Sequence, residues 1–179
     1  MVRMTPIVIG ISGVTGVGKT TLTHALAKKL KSTLLCWDDF DDISISPTDY
    51  VDWYHRGRNY SAWDYQALAD VLKSLKAKQS ILHPVFNHIL QSTEYIIFDA
   101  PLGRLHSQTG QYIDICIHLS VPLDISLCRR LLRDFKGNEK TKEDLLAELE
   151  YYLSYSRPLF FDEDLKVEAP VRLVGLKNK

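Results

Sequence analysis

Residues 13–20 read GVTGVGKT and fit the pattern G-x-x-x-x-G-K-[ST], which is typical of a phosphate-binding loop. A short apolar run at residues 6–11 predicts a buried parallel strand before the motif, and helical spacing comes after it. Glycines permit backbone conformations in which main-chain N–H groups turn onto a phosphate, and the next helix presents its positive dipole end. The alternative is an ordinary glycine turn, but the flanking strand and helix favour a site for a nucleoside triphosphate.

The side chains at the end of the motif have separate predicted tasks. Lys19 adds a full positive charge at the outer phosphates, Thr20 supplies a hydroxyl for Mg²⁺, and Thr21 is a further donor to an inner phosphate. ATP and Mg²⁺ are therefore the expected cofactors. The predicted phosphate-binding residues are Gly13, Gly16, Val17, Gly18, Lys19, Thr20 and Thr21.

Two acids come directly after predicted strands, and the ligand of an open parallel sheet lies at the carboxyl ends of its strands. Asp99 ends the apolar run at 95–98 and is placed to hold Mg²⁺, either with Thr20 or through a water. Asp38 comes after the run at 33–37 and is a candidate to accept a proton from the hydroxyl that receives a phosphoryl group. The alternatives are a turn acid at Asp99 and a solvated loop acid at Asp38.

Phosphoryl transfer also needs positive charge near the transferring group. Arg129, Arg130 and Arg133 cluster near the end of a predicted helix that Pro122 opens. Cations are also favoured at a helix C-terminus, so a solvated helix face is the alternative for these arginines.

Strands and helices alternate along the predicted chain. Strands are predicted at residues 6–11, 33–37, 95–98, 113–119 and 171–176, and helices at 20–31, from Ser61 to about 78, from Pro122, and from Thr141 to a stop before Pro158. Leu132 and Leu153 are expected to face the core, residues 43–59 to form an irregular or partly helical flap, and residues 81–90 a short strand or hairpin. This order predicts a three-layer α/β P-loop NTPase fold with a mostly parallel sheet of about five strands.

Length and composition predict one domain over residues 1–179, with a short lid at about 133–140. The 22 basic and 22 acidic residues cancel, so we expect neither a nucleic-acid partner nor a membrane partner. No apolar run has the length of a membrane span and the first ten residues lack signal-peptide character, which predicts a cytoplasmic protein. Cys36, Cys116 and Cys128 have no metal-site spacing and are expected to be small buried apolar residues.

The run IGISGVTGVGKTT at residues 9–21 resembles the start of the small P-loop kinases of the uridine kinase and nicotinamide riboside kinase group. The likeness continues through WDDF at 37–40, YSAWD at 60–64, PVFNH at 84–88, IIFDA at 96–100, the helix at 121–134 and SRPLF at 156–160. It therefore spans nearly the whole chain, with the glycine loop as its most specific part. The resemblance implies a kinase that uses ATP and Mg²⁺.

Five further roles are implied by this resemblance. Asp38 would be the general base, Asp64 would bind sugar hydroxyls and Phe86 would stack on a nucleoside base. Arg130 would contact the substrate and Arg133 would reach the phosphates of ATP. Read from the residues alone, Asp64 suits a first-turn acid of a helix equally well. A ring such as Phe86 is more often part of the core.

The chain departs from the family pattern in two places. The strand that usually ends in Glu-Gly ends here in Asp99-Ala100, which keeps a carboxylate with a shorter reach. Residues 101–106 do not match the segment that comes after the metal acid in that group. These departures bear most on the identity of the substrate.

The expected function is transfer of the γ-phosphoryl group of ATP to a hydroxyl of a small, nucleoside-like acceptor. Lys19 and Arg133 would neutralise the transferring charge, and Asp38 would orient or deprotonate the acceptor. One alternative is a kinase of another alcohol, such as pantothenate or glycerate. A second is a nucleotide-binding regulatory protein, although the chain has no N-K-x-D motif for reading guanine. The sequence leaves a homo-oligomer open.

Overall fold

The computed structural model describes residues 5–137, 139–161 and 171–174. The strands within them are β1 (Ile7–Ser12), β2 (Thr33–Cys36), β3 (Ile81–Leu82), β4 (Ile89–Leu90), β5 (Tyr95–Asp99), β6 (Ile115–Ser120) and β7 (Val171–Val174). The α-helices are α1 (Lys19–Leu30), α2 (Tyr50–His55), α3 (Gln66–Lys76), α4 (Ser107–Gly110), α5 (Leu123–Phe135) and α6 (Lys142–Tyr151). Short 3₁₀ segments lie at Asp38–Ile43, Tyr60–Ala62, Gly103–Leu105 and Arg157–Phe160, and a π-helical turn at Tyr152–Ser156.

Five strands form one sheet in the order β2-β5-β1-β6-β7, and each neighbouring pair is parallel. In this register Ile11 of β1 lies opposite Asp99 of β5, and Cys36 of β2 lies opposite the same aspartate. The carboxyl ends of β1, β2 and β5 therefore meet at one edge. The glycine loop, the turn at Asp38 and the Asp99 carboxylate are brought together there. The strands β3 and β4 form a separate antiparallel hairpin.

Side chains alternate between the two faces of the sheet and fill a separate core on each side. Val8, Ile96 and Phe98 pack with the buried leucines of α3, whereas Ile9 and Ile97 pack with the α1 side. Nearly continuous apolar runs are the pattern expected of strands that helices cover on both faces. The resulting three-layer α/β architecture confirms the predicted fold class.

Most predicted elements are found close to their predicted positions, including the β3–β4 hairpin at 81–90. The flap at 43–59 contains the short helix α2. The predicted last strand is confirmed over Val171–Val174, and its remaining two residues lie outside the described residues. The lid region at about 133–140 covers the end of α5 and the loop before α6, of which residue 138 is not described. Its role as a lid and the single-domain assignment stay predictions.

The helix predicted to start at Ser61 begins instead at Gln66. Asn59 accepts a hydrogen bond from the Ser61 N–H and caps only a 3₁₀ turn, and Asp64 then pairs with Ile45 in an isolated antiparallel bridge. The predicted helix start at Ser61 is therefore a 3₁₀ turn. Because Ile45 of the flap pairs with Asp64 in an extended conformation, the helix begins only after Tyr65.

Two leucines that were expected to face the core do not. Leu132 on α5 is 69% exposed and Leu153, in the π-helical turn, is 72% exposed. The π turn is wider than an α-helix and shifts the residues after α6, and its buried residues are Tyr152 and Ser156. Among the cysteines Cys116 is buried as predicted, but Cys36 is only half-buried and Cys128 is exposed.

None of the helices in the described part of the chain has both the length and the apolarity that a membrane span needs.

We expect Leu72→Ala to lower the free energy of unfolding by about 2–5 kcal/mol, because Leu72 is 0% exposed and its removal leaves a cavity under α3. Leu153→Ala is the matched control, since Leu153 is 72% exposed, and it should change that free energy by no more than about 0.5 kcal/mol. Urea denaturation monitored by circular dichroism measures both variants. Similar losses in the two would contradict the assignment of the core.

Candidate active site

The loop between β1 and α1 approaches two other backbone segments so closely that only glycine fits. A Cβ atom on Gly13 would lie 2.5 Å from the carbonyl oxygen of Leu119, and one on Gly16 would lie 2.2 Å from that of Ser126. Both glycines also have positive φ angles, of 137° and 80°. The loop is therefore held against the end of β6 and the first turns of α5.

The first turn of α1 is open to a ligand. Gly18 is its N-cap, with a φ of 105°, and no side chain among the described residues caps this turn. Backbone N–H groups at a helix N-terminus have no partner inside the helix and carry the positive end of its dipole. Thr20 and Thr21, both exposed, lie in this turn. Such an arrangement suits a phosphate.

Lys19 lies folded over the glycine loop, where its Nζ donates to the carbonyl oxygen of Val14 at 3.2 Å. Burial lowers the pKa of Lys19, while the Asp99 and Asp38 carboxylates act in the opposite direction. A partly desolvated ammonium group beside a phosphate-binding turn gains strongly from a polyanion, because charge pairs interact more strongly away from water.

Asp99 is 8% exposed at the end of β5. The Thr20 hydroxyl donates to Asp99 Oδ2 at 3.1 Å, whereas Asp99 Oδ1 is buried with no hydrogen-bond partner among the described residues. Burial raises the pKa of Asp99, and Lys19 and the Thr20 hydrogen bond lower it. A buried carboxylate oxygen without a partner, beside a hydroxyl, fits the hard oxygen ligands that Mg²⁺ prefers. Thr20 and Asp99 are the residues that would hold the metal.

Asp38 opens the 3₁₀ segment after β2 and keeps an exposed carboxylate. Its neighbour Asp41 is engaged, because the Tyr65 hydroxyl donates to Asp41 Oδ1 at 2.6 Å. Burial raises the pKa of Asp41, and the bond from Tyr65 lowers it. The charge of Asp38 reaches both Lys19 and Asp99. Asp38 and Asp41 both line one cavity, and because Tyr65 binds Asp41, we take Asp38 as the acid of this turn that meets a ligand.

A cavity of about 1450 Å³ joins these groups. Its lining includes residues 13–21 of the loop and helix start, together with Asp38, Asp99, Arg129 and Arg133. The Nε atom of Arg133 also donates to the neighbouring carboxylate of Asp134 at 2.7 Å. The lining of the cavity thus combines the glycine loop, an ammonium group and two arginines. Arg129 had no assigned role in the sequence analysis.

Aromatic rings make up much of the remaining wall. They are Trp37, Tyr50, Trp53, Tyr54, Tyr60, Trp63, Tyr65, Phe160 and Phe161. Tyr50 stacks on Trp63 with ring centroids 5.4 Å apart and an interplanar angle of 20°, and Trp53 meets Trp63 edge-on at 5.9 Å. The guanidinium carbon of Arg58 lies 5.4 Å from the ring centroid of Tyr54. We call this surface the aromatic wall.

Sequence reasoning missed the aromatic wall because it treated residues 43–59 as an irregular flap without a role. The signal was present in the spacing of Tyr50, Trp53 and Tyr54, which puts three rings on one short helix. The chain then turns back through Gly57 and Arg58, both with positive φ, of 95° and 57°. The indole N–H of Trp53 donates to the Asn59 carbonyl oxygen at 2.9 Å and secures this turn.

A buried histidine and a glutamine fix the backbone that carries the aromatic wall. His106, which is 1% exposed, binds the Trp63 carbonyl oxygen through Nε2 at 3.0 Å and the Thr109 hydroxyl through Nδ1 at 2.8 Å. The Gln108 side chain accepts from the Tyr65 N–H and donates to Asp64 Oδ1, each at 2.8 Å. His106 is the last residue of the stretch 101–106 that departs from the kinase pattern, and Gln108 lies in α4. They hold residues 63–65 in place.

Three predicted substrate contacts are not among the described residues that line the cavity: Asp64, Arg130 and Phe86. Asp64 is held by Gln108, and Phe86 is 54% exposed at the hairpin, where it stacks on His83 at 4.8 Å. Arg130 forms an ion pair with Glu148, with Nη1 and Oε1 2.7 Å apart. Their roles in binding substrate stay predictions.

Known proteins are similar to this chain over most of its length. A family model described as an AAA domain matches residues 9–150. The chain is 25% identical to a uridine kinase of Clostridium tetani, over 86% of this chain and 78% of the relative, and 28% identical to a uridine kinase of Psychromonas ingrahamii, over 97% and 90%. A solved structure described as a possible uridine kinase from Bacillus stearothermophilus has a TM-score of 0.54 at 18% identity, covering 97% of this chain and 91% of that one. The resemblance to uridine kinase-like P-loop kinases is thus confirmed.

His106 makes folding stability depend on pH. Burial lowers the pKa of His106 below its ordinary value, so protonation favours the unfolded chain, which binds the proton near a pH of about 6.5. The stabilisation is complete above that pH and is lost as the pH falls through it towards the lower pKa of the folded protein. We expect the decline of unfolding free energy from pH 7 to pH 5, measured by urea titration, to be shallower in His106→Gln than in wild type.

His55→Gln, at an exposed position, controls for the general effect of removing one imidazole. Equal slopes in His106→Gln and wild type would remove His106 as a source of the pH dependence.

Proposed function

Since this chain belongs to the AAA domain family and is a uridine kinase-like P-loop protein, we propose that it transfers the γ-phosphoryl group of ATP to a hydroxyl of a nucleoside-like acceptor. The observation that carries this proposal is the cavity that the glycine loop, Asp38 and the aromatic wall line together. A protein that only bound a nucleotide would need the loop but not a second compartment with an exposed carboxylate.

The chain's own residues supply a complete set of groups for the transfer. Amides of the glycine loop and Lys19 bind the outer phosphates, and Arg133 lies in the same cavity to neutralise the moving charge. Mg²⁺, held by Thr20 and Asp99, would offset the charge of the phosphate oxygens when bound. Electrostatics and positioning supply most of the rate in such reactions.

Asp38 is the proposed acceptor-activating group. The acceptor oxygen forms a bond to the γ-phosphorus while the bond from that phosphorus to the β–γ bridging oxygen breaks, and ADP leaves. The hydroxyl proton passes to the Asp38 carboxylate. An exposed carboxylate that lines the same cavity as Lys19 and Asp99 is placed for this step.

The aromatic wall supports a ring-bearing acceptor. Aromatic rings bind planar heterocycles by stacking and edge contacts, whereas a short alcohol such as glycerate offers no ring to them. Arg58, beside Tyr54, adds a donor that suits carbonyl oxygens on such a ring. Asp64 lies between two residues of the wall, and while Gln108 donates to its Oδ1 the exposed carboxylate can accept further hydrogen bonds from sugar hydroxyls.

The direct test is ATP consumption with Mg²⁺ against a panel of nucleosides, pantothenate and glycerate. We expect at least one nucleoside to raise turnover well above the hydrolysis background. Stimulation only by pantothenate or glycerate would contradict the nucleoside assignment. If no acceptor raises turnover and partners are instead captured in a nucleotide-dependent way, the protein is a regulator and not a kinase.

Asp38→Asn tests the acceptor-activating group. With the active acceptor, this variant should lose about 10²- to 10⁴-fold in kcat and keep its affinity for ATP, because only proton transfer is removed. Asp42→Asn is the matched control on the same 3₁₀ segment, where Asp42 is exposed and does not line the cavity. Equal loss of turnover and ATP affinity in Asp38→Asn would exclude the proposed role.

A further inference from the structure

The arginines of α5 face in two directions. Arg129 and Arg133, four residues apart and so on one face of the helix, both line the cavity. Arg130 is the next residue after Arg129 and is not part of that lining. Its guanidinium group instead lies against α6 and the segment after α6. The sequence pattern R-R-x-x-R therefore places its arginines in two different environments.

Arg130 connects three elements through one partly buried guanidinium group. Its Nη1 lies 2.7 Å from Oε1 of Glu148 on α6, and its guanidinium carbon lies 5.8 Å from the ring centroid of Phe160 in the 3₁₀ segment beyond. The side chain is only 15% exposed, so it is not a solvated arginine at a helix end. Glu148 is 33% exposed, so the pair is partly shielded from water, and removal of either partner leaves the other charge without its partner.

The helix that carries Arg130 is itself fixed to the phosphate-binding loop. Gly16 approaches α5 so closely that a Cβ atom there would lie 2.2 Å from the Ser126 carbonyl oxygen and 3.3 Å from the Arg130 backbone nitrogen. At the other end, Leu159, Phe160 and Phe161 of the segment after α6 line the cavity. Contacts therefore run from the loop through α5 and Arg130 to the far wall of the cavity.

We infer that Arg130 is a positioning residue that fixes α6 and the wall at residues 159–161 through Glu148. Arg129, together with Arg133, supplies the second guanidinium group that faces the phosphates. This inference rests on the proposed kinase function for the part played by Arg129. The role of Arg130 depends only on packing. It differs from the expectation that Arg130 contacts the substrate.

A charge exchange separates a positioning role from direct contact. Arg130→Glu alone places two carboxylates together, and Glu148→Arg alone places two guanidinium groups together, so each should raise the KM for MgATP and for the acceptor by about tenfold or more. The double variant Arg130→Glu with Glu148→Arg should return both KM values to within about threefold of wild type, because the pair is restored with its partners exchanged. A substrate contact at Arg130 would instead leave the double variant as impaired as Arg130→Glu.

Urea unfolding tests the pairing of Arg130 with Glu148 and needs no activity measurement. The midpoint should fall in both single variants and recover in the double variant, while Glu150→Gln, at an exposed position on α6, leaves it unchanged. If the falls in unfolding midpoint add up in the double variant, the positioning role of Arg130 is overturned. This result also separates the inference from the proposed function, since it requires no acceptor. Glu148→Gln gives a milder single variant if either charge reversal fails to fold, and it should lower the midpoint more than Glu150→Gln does.

Arg129→Gln tests the cavity assignment. We expect kcat to fall about 10²-fold with an unchanged unfolding midpoint, because a charge that faces the transferring group is lost while the packing of α5 remains. Leu132→Gln, on the exposed side of the same helix, is the control and should alter neither. A wild-type kcat in Arg129→Gln would contradict this assignment, because Arg133 would then neutralise the charge without Arg129.

Discussion

The Asp99 carboxylate beside Lys19 and Thr20 is the interaction on which the rest of the site depends. It exists because β1 and β5 are parallel neighbours in a register that sets Ile11 opposite Asp99. The glycine loop leaves β1 directly after Ser12, so its lysine and threonine return to the end of β5. A shift of that register by one residue would turn the carboxylate to the other face of the sheet and separate it from Thr20.

This arrangement is costly in the absence of a ligand. Burial shifts the pKa of Asp99 upwards and that of Lys19 downwards, so the environment disfavours both charges, and their mutual attraction offsets only part of that effect. One carboxylate oxygen also lacks a hydrogen-bond partner in the described part of the chain. A metal ion on the carboxylate and phosphates on the ammonium group would satisfy both. Unfavourable burial of charge is typical of binding sites, where polar groups are arranged for a ligand and not for stability.

The sequence predicted the parts of the molecule that local pattern determines. The glycine loop, the apolar strand before Asp99 and the parallel sheet are consequences of motif and periodicity. Features that depend on which elements meet in three dimensions were not predicted. Helical periodicity could not show that Arg129 faces the cavity while Arg130 turns to Glu148, nor that a π turn exposes Leu153. The clamp of His106 and Gln108 on residues 63–65 joins residues about forty positions apart, and no local signal marks it.

Isothermal titration calorimetry of ATP with and without Mg²⁺ tests the central claim most directly. For wild type we predict tight binding that depends on Mg²⁺. Asp99→Asn should still bind ATP through the loop and Lys19 but lose most of the difference that Mg²⁺ makes, whereas Lys19→Ala should bind weakly in both conditions. An Asp99→Asn protein with wild-type dependence on Mg²⁺ would contradict the account, as would ATP affinity in Lys19→Ala equal to that of wild type.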